Sequence, residues 1–115
     1  MWDVAPTTQF LRDQEWYKKK HPSEFAAVFH NLGRYLEQLN VAKNHRSVTA
    51  GYLHHEPSDV VAVDQKGAAG KLQQTRLYTF ADPDSKTLHL ITIGDKRTQR
   101  DDIKLSTGFV KSLFP

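Results

Sequence analysis

Two periodicities divide this chain. Over residues 23–39 the apolar side chains Phe25, Phe29, Leu32, Leu36 and Leu39 recur at helical spacing and share one face. The stripe lasts only about two heptads, so it reads as a core-facing helix and not as a coiled-coil seam. Ahead of it, residues 2–5 ("WDVA") form a short strand. Thr7 or Thr8 then caps a helix that runs to about Lys20 and stops before Pro22. From Val60 onward the period is that of strands. "VVAVD" is compact and apolar, and "QKGAAGK" is a loop whose glycines oppose a stable helix. In "LQQTRLYTF" the alternation puts Leu72, Gln74, Arg76, Tyr78 and Phe80 on one face. "ADPDSK" is a turn, and "TLHLITI" returns as the next strand, so these two runs make an antiparallel hairpin. Residues 40–58 are punctuated by Asn44, Gly51 and Pro57, with "VTAGYL" as a candidate short strand. Thr98 followed by Asp101 resembles a capping box opening a last helix, which carries Ile103, Leu105, Phe109, Val110, Leu113 and Phe114.

Helices segregated from antiparallel strands predict an α+β domain: β-α-α-β-β-β and a C-terminal helix, with two N-terminal helices on one face of a twisted, mainly antiparallel sheet. The other sheet face is expected to stay partly open. The 115 residues suit a single domain, 1–115, with its own core. With 38% hydrophobic and 25% charged residues, the composition is that of a globular chain and not of a disordered one.

Charge changes the picture more than composition does. The net charge is +3, but residues 66–100 hold 7 basic and 3 acidic groups, whereas residues 1–65 hold 7 and 8. A positive field concentrated in the hairpin segment suits a polyanion; a solvated, lysine-decorated surface is the plainer alternative. Lys18, Lys19 and Lys20 fall outside this set, because at a helix C-terminus they complement the dipole. There is no cysteine, which excludes disulfide-linked partners, thiolate metal sites and cysteine nucleophiles. No apolar run reaches the length of a membrane span, and the first 20 residues lack the core of a signal peptide, so the expected setting is cytoplasmic, with no membrane partner.

Catalytic signatures for nucleotide binding, zinc proteolysis and serine hydrolysis are missing. His54 and His55 are neighbours on extended chain and point to opposite faces, which disfavours a shared metal ion. The remaining candidates are cations: Lys66 and Lys71 before the hairpin, Arg76 within its first strand, and Lys96, Arg97 and Arg100 after its second. Arg76 is the diagnostic one, since an arginine in mid-strand needs either a carboxylate such as Asp64 or Asp95 or a phosphate-facing role. Converging cations suit RNA cleavage, in which a 2′-hydroxyl attacks the adjacent phosphate and charge develops on phosphoryl oxygens. A lysine depressed by like charges, or a histidine, can move the protons.

The helical pair followed by "GKLQQTRLYTF", "ADPDSK" and "TLHLITIGDKRTQ" resembles the RelE/ParE superfamily of type II toxins, in which an arginine-bearing strand, a turn, an apolar strand and an "I-G-x-[KR]" exit precede the last helix. In element order the resemblance covers the whole chain; its specific motif covers residues 70–103. It implies a metal-independent, ribosome-associated mRNA endonuclease that inhibits translation, without a cofactor, and a cognate antitoxin as partner beside mRNA and the ribosome. It implies Arg76 as a phosphate-binding residue, Lys96 or Arg97 as a second cation, and Lys71 as an aid to binding or proton transfer. Lys66 and Arg100 join as RNA contacts. Lys66 and Lys71 stand further apart than the family's lysine pair, and no tyrosine or histidine follows His89, where many active members have one. A gyrase-poisoning ParE-like toxin, or a degenerate member that only binds its antitoxin, are the alternatives.

Overall fold

The computed structural model describes residues 1–114. Helix α1 (Thr8–Lys20) starts where Thr7 Oγ1 accepts the Phe10 N–H at 3.0 Å. It ends in the three lysines, and the His21 N–H closes its last turn on the Tyr17 carbonyl. Pro22 then opens α2 (Pro22–Val41), taking the first-turn position where its missing N–H costs nothing.

The face that α2 buries is rotated from the expected stripe. Val28, Leu32, Tyr35 and Leu39 are buried, whereas Phe25, Phe29 and Leu36 sit at its margin. There Phe25 stacks on Phe29 at 4.5 Å and Phe29 meets Phe10 of α1 at 6.1 Å, so the marginal aromatics join the two helices.

Five strands form the sheet: β1 (Asp3–Pro6), β2 (Leu53–His55), β3 (Val60–Asp64), β4 (Thr75–Asp82) and β5 (Thr87–Asp95), in the order β1-β5-β4-β3-β2. Only β1 runs parallel to its neighbour, β5. One strand more than expected is present. β2 begins at the end of "VTAGYL" and turns into β3 through residues 56–59, where Ser58 and Asp59 adopt positive φ of 63° and 62°. Arg46 holds that turn by gripping the Asp59 carboxylate at 2.8–3.2 Å. The loop over residues 65–74 delays β4 to Thr75, and its bends at Gly67 (φ 94°) and Gly70 (φ 92°) lie where side chains are disfavoured.

The expectation of a partly open sheet face is corrected. Helix α3 (Gln99–Leu113) crosses that face, with Ile103, Phe109 and Val110 packed on Val60, Ala62, Tyr78, Phe80 and Ile91. The sheet face alternates apolar side chains, and leaving them wet would forfeit roughly 25 cal/mol per Å². The α1–α2 layer covers the opposite face. A bulge in β5 sorts its side chains between the layers. Tyr78 pairs with Thr92 but Thr79 with Leu90, so Ile91 faces α3 while Leu90 and Ile93 face α1 and α2. No helix among the described residues is long and apolar enough to cross a membrane.

His89 stacks on Phe80 and meets Phe109 edge-on at 5.5 Å under α3, and burial lowers its pKa below the ordinary 6.5. Burial lowers that of His45 as well. A histidine whose folded pKa is depressed supports the fold fully above its unfolded pKa, and that support is lost as pH falls through the folded value. Stability to urea should therefore decline from about pH 6.5 toward pH 5, and the H45Q/H89Q double variant should flatten that slope.

Candidate functional site

Past β5 the chain makes a tight polar turn. The Asp95 carboxylate accepts the backbone N–H groups of Arg97 (2.9 Å) and Thr98 (3.3 Å), and the Arg97 guanidinium at 3.1 Å. Burial would raise the Asp95 carboxyl, but these bonds outweigh it and hold the group below the ordinary carboxylate range. The expected capping box is not made. Thr98 Oγ1 instead donates to Asp102 Oδ2 at 2.7 Å, and the side chain that caps backbone groups here is Asp95.

Gly94 explains why the helix starts so close to the strand. A β-carbon there would collide with the Asp102 carboxylate and the Thr98 hydroxyl. The glycine is needed for this approach of α3, not for an unusual φ. Gly94→Ala should cost about 1–3 kcal/mol, read by urea denaturation, because Asp102 and Thr98 must give up their bond to make room.

Lys96 and Arg97 project from this turn into a cleft of about 580 Å³ shared with His21, Gln73 and Gln74. The Arg97 side chain is 86% exposed despite its pairing with Asp95. Lys96 has no carboxylate within ion-pair distance among the described residues, and with Gln99, Arg100 and Ile103 it also lines a second, shallow cleft. A Gln74–Gln99 hydrogen bond of 2.9 Å ties the entry of β4 to the first turn of α3 between them. Three of the expected cations, Lys96, Arg97 and Arg100, thus come together.

Arg76 lies inward of that group. Its backbone pairs with Asp64 of β3 and Gly94 of β5, and its side chain is 17% exposed. Neither expected partner holds it: Asp64 is taken by His54 and Asp95 by Arg97. Its nearest carboxylate is Glu56, at 3.9 Å, and its Nε is buried without a hydrogen-bond partner. Lys66 is separated from the cation cleft. Its Nζ reaches the Gly51 carbonyl at 3.2 Å, and it lines a different cleft, against α2, with His30 and Arg34. Lys71 stands exposed on the loop.

One pair escaped the sequence reading. His54 Nε2 lies 2.6 Å from Asp64 Oδ2, and Asp64, only 2% exposed, also accepts the Lys66 N–H at 2.7 Å. Asn31 clamps the same strand end, donating to the carbonyls of Asp64 and Lys66 at 2.9 Å each. With its proton on Nε2, His54 keeps Nδ1 as an acceptor. His55 points away, to the Val48 carbonyl. The usable signal was the hairpin "LHHEPSDVVAVD": once residues 56–59 are read as its turn, His54 and Asp64 fall on one face.

No protein-family model and no curated protein sequence matches this chain. Solved structures do. A metal-bound toxin from Helicobacter pylori aligns with a TM-score of 0.55 at 15% identity, over 84% of this chain and 97% of that one. The YoeB-YefM toxin-antitoxin complex from Staphylococcus aureus aligns with a TM-score of 0.47 at 9% identity, over 80% of this chain and 93% of that one. At such identities a likeness concerns the fold, and the first carries the comparison. Two helices on one sheet face, a third on the other and alignment over nearly the whole length of the H. pylori toxin give this chain the α+β fold of that toxin.

Proposed function

We propose that this protein is the toxin of a type II toxin–antitoxin pair, cleaving mRNA on the ribosome and neutralised by a cognate antitoxin. The observation that carries the reading is the cation cleft of Lys96 and Arg97 at the strand ends, on a fold shared with a bacterial toxin. Register supports a role for Arg76 beside it, since its strand neighbours the one that delivers Lys96, and adjacent strands lie about 4.8 Å apart.

The chemistry follows from the groups present. Lys96 and Arg97 bind the backbone phosphates and offset the charge that develops on phosphoryl oxygens. Arg76, enclosed beneath α3, contributes a fixed positive charge. His54 is the histidine that a carboxylate, Asp64, orients, and it is assigned the 2′-hydroxyl proton as general base; β3 and β4 stand between it and the strand that delivers Lys96, so the message must lie across the strand ends to meet both. The 2′-oxygen then bonds to phosphorus, the bond to the 5′-oxygen breaks, and that oxygen leaves as a hydroxyl, taking its proton from a water molecule while the His54 imidazole keeps the one it accepted. Lys71 and Arg100 contribute to RNA binding. The H. pylori toxin is metal-bound; among the described residues here no group of three or more His, Asp or Glu side chains is placed to hold a metal ion.

The test is a cell-free translation extract given the purified chain. Protein synthesis should stop and new 5′ ends should appear within the message. Intact mRNA with gyrase-dependent DNA breaks in cells would point to the ParE-like reading instead, and undisturbed synthesis would leave a protein that only binds its antitoxin.

A further inference from the structure

A further cleft, of opposite charge, adjoins the cation cleft of Lys96 and Arg97. Strand β1 pairs only with residues 87–90 of β5, and Thr7 covers the Leu90 and Ile91 carbonyls with its N–H and hydroxyl. Beyond that point residues 92–95 continue without a β1 neighbour, and α1 and α3 flank them. The resulting cleft, of about 290 Å³, takes a carboxylate from each side and one from the strand end: Asp13, Asp102 and Asp95. Among the described residues, only Asp95 of the three has an ion-pair partner, Arg97. Asp13 accepts the Thr92 hydroxyl and the Gln9 amide, and Asp102 accepts the Thr98 hydroxyl, so two carboxylates lack a cation.

The walls point to the kind of cation that fits. Trp16 and Leu105 line the cleft while remaining 49% and 44% exposed. Tyr17 is only 7% exposed, lines the same cleft, and its hydroxyl makes no hydrogen bond within the described residues. Burial, and then Asp95, Asp102 and Asp13, push its pKa up to about 12, so the phenol keeps its proton. Burial and the neighbouring acids raise the Asp102 pKa too, a stress that an added positive charge would relieve. Carboxylates, a free phenol and an exposed indole suit a guanidinium, which is planar, weakly hydrated and stacks on aromatic faces.

We propose that this cleft between α1, β5 and α3 docks a segment of a partner protein, seating one arginine between Asp13 and Asp102 with flanking apolar side chains over Trp16 and Leu105. RNA is the wrong occupant, because its phosphates would face carboxylates. The two clefts meet at Asp95 and Arg97, so a segment seated here overhangs the cation cleft and competes with anything bound there. The inference rests on the cleft geometry and stands whether or not the chain cuts RNA.

The test uses the whole ¹⁵N-labelled chain and two capped tripeptides, leucyl-arginyl-leucine amide and leucyl-glutamyl-leucine amide, followed by the Trp16 indole N–H signal, which Trp16→Phe assigns. The arginine peptide should shift that signal saturably, with the glutamate peptide about tenfold weaker or worse. The D13N/D102N double variant should weaken the arginine peptide about fivefold or more, its amides still able to accept the Thr92 and Thr98 hydroxyls. Should that variant fail to fold, the wild-type response must instead fall steeply between about 50 and about 500 mM salt. Equal response to both peptides, no response, or a response indifferent to both the substitutions and salt would overturn the proposal. So would a shift that grows with protein concentration alone, which would assign the cleft to a second copy of this chain.

Discussion

Replacing Lys96 and Arg97 together by alanine should slow translation arrest by about 100-fold or more while leaving the fold intact. Each charge-assisted contact to a phosphoryl oxygen contributes about 1.5–3 kcal/mol, and every 1.36 kcal/mol in the barrier is about tenfold in rate, so two contacts span roughly 10² to 10⁴. The fold should tolerate the change, because Lys96 and Arg97 are exposed and an exposed pair such as Arg97–Asp95 is worth about 0–1 kcal/mol. Asp95 keeps its bonds from the backbone N–H groups of residues 97 and 98. Alanine at Lys18 and Lys19 is the matched control. Those lysines serve the end of α1, and their removal should leave arrest near the wild-type rate. Equal losses in the two double variants would mean that general positive charge, and not the cleft, carries the activity.

Asp64→Ala is expected to cost about 2–4 kcal/mol in urea denaturation and to abolish arrest in whatever fraction remains folded. The carboxylate is buried and serves two donors, the Lys66 N–H and His54 Nε2, so its loss strands both at the end of β3. Stability and activity separate in His54→Gln, which leaves the Asp64–Lys66 bond in place. It should lose arrest with little loss of stability if His54 moves the proton. A His54→Gln protein that stops translation at the wild-type rate would remove His54 from the mechanism and leave Asp64 as a structural clamp.

Arrest by the wild-type protein should weaken at high salt as well. Phosphate contacts release counterions, and the slope against the logarithm of salt concentration reports how many cations are engaged. For Lys96→Ala the slope should be shallower by about one contact.

The candidate site was legible in the sequence as far as local rules reach. The exit from β5 placed Lys96, Arg97 and Arg100 together because they are adjacent on a turn and the first turn of a helix, where spacing alone sets proximity. Arg76 was singled out because an arginine in a strand needs an explanation, yet its partner, Glu56, comes from a turn twenty residues away in sequence. Lys66 was grouped with the hairpin by sequence, but the loop over residues 65–74 carries it to the α2 side, anchored by Asn31. Nothing local to a loop says which layer it will lie on. His54 and Asp64 became partners only through the pairing of β2 with β3, and that pairing hinges on a turn at Ser58 and Asp59 without the glycine that usually marks one.

By itself the sequence determined what local chemistry determines. The period of the apolar residues specified α1, α2, α3 and the β4–β5 hairpin, because a helix and a strand bury one face only if their side chains recur at 3.6 or 2 residues. The excess of cations past residue 65 set the polarity of the hairpin segment. The tertiary structure decided the rest. Which sheet face α3 would cover, the bulge at Ile91 that turns Ile93 toward the helices, the burial of Arg76 and the acid cleft between α1 and α3 all depend on groups far apart in sequence meeting in space. Such meetings are selected by the packing of two layers on one sheet, where excluded volume and the pairing of buried polar groups act on the whole domain at once.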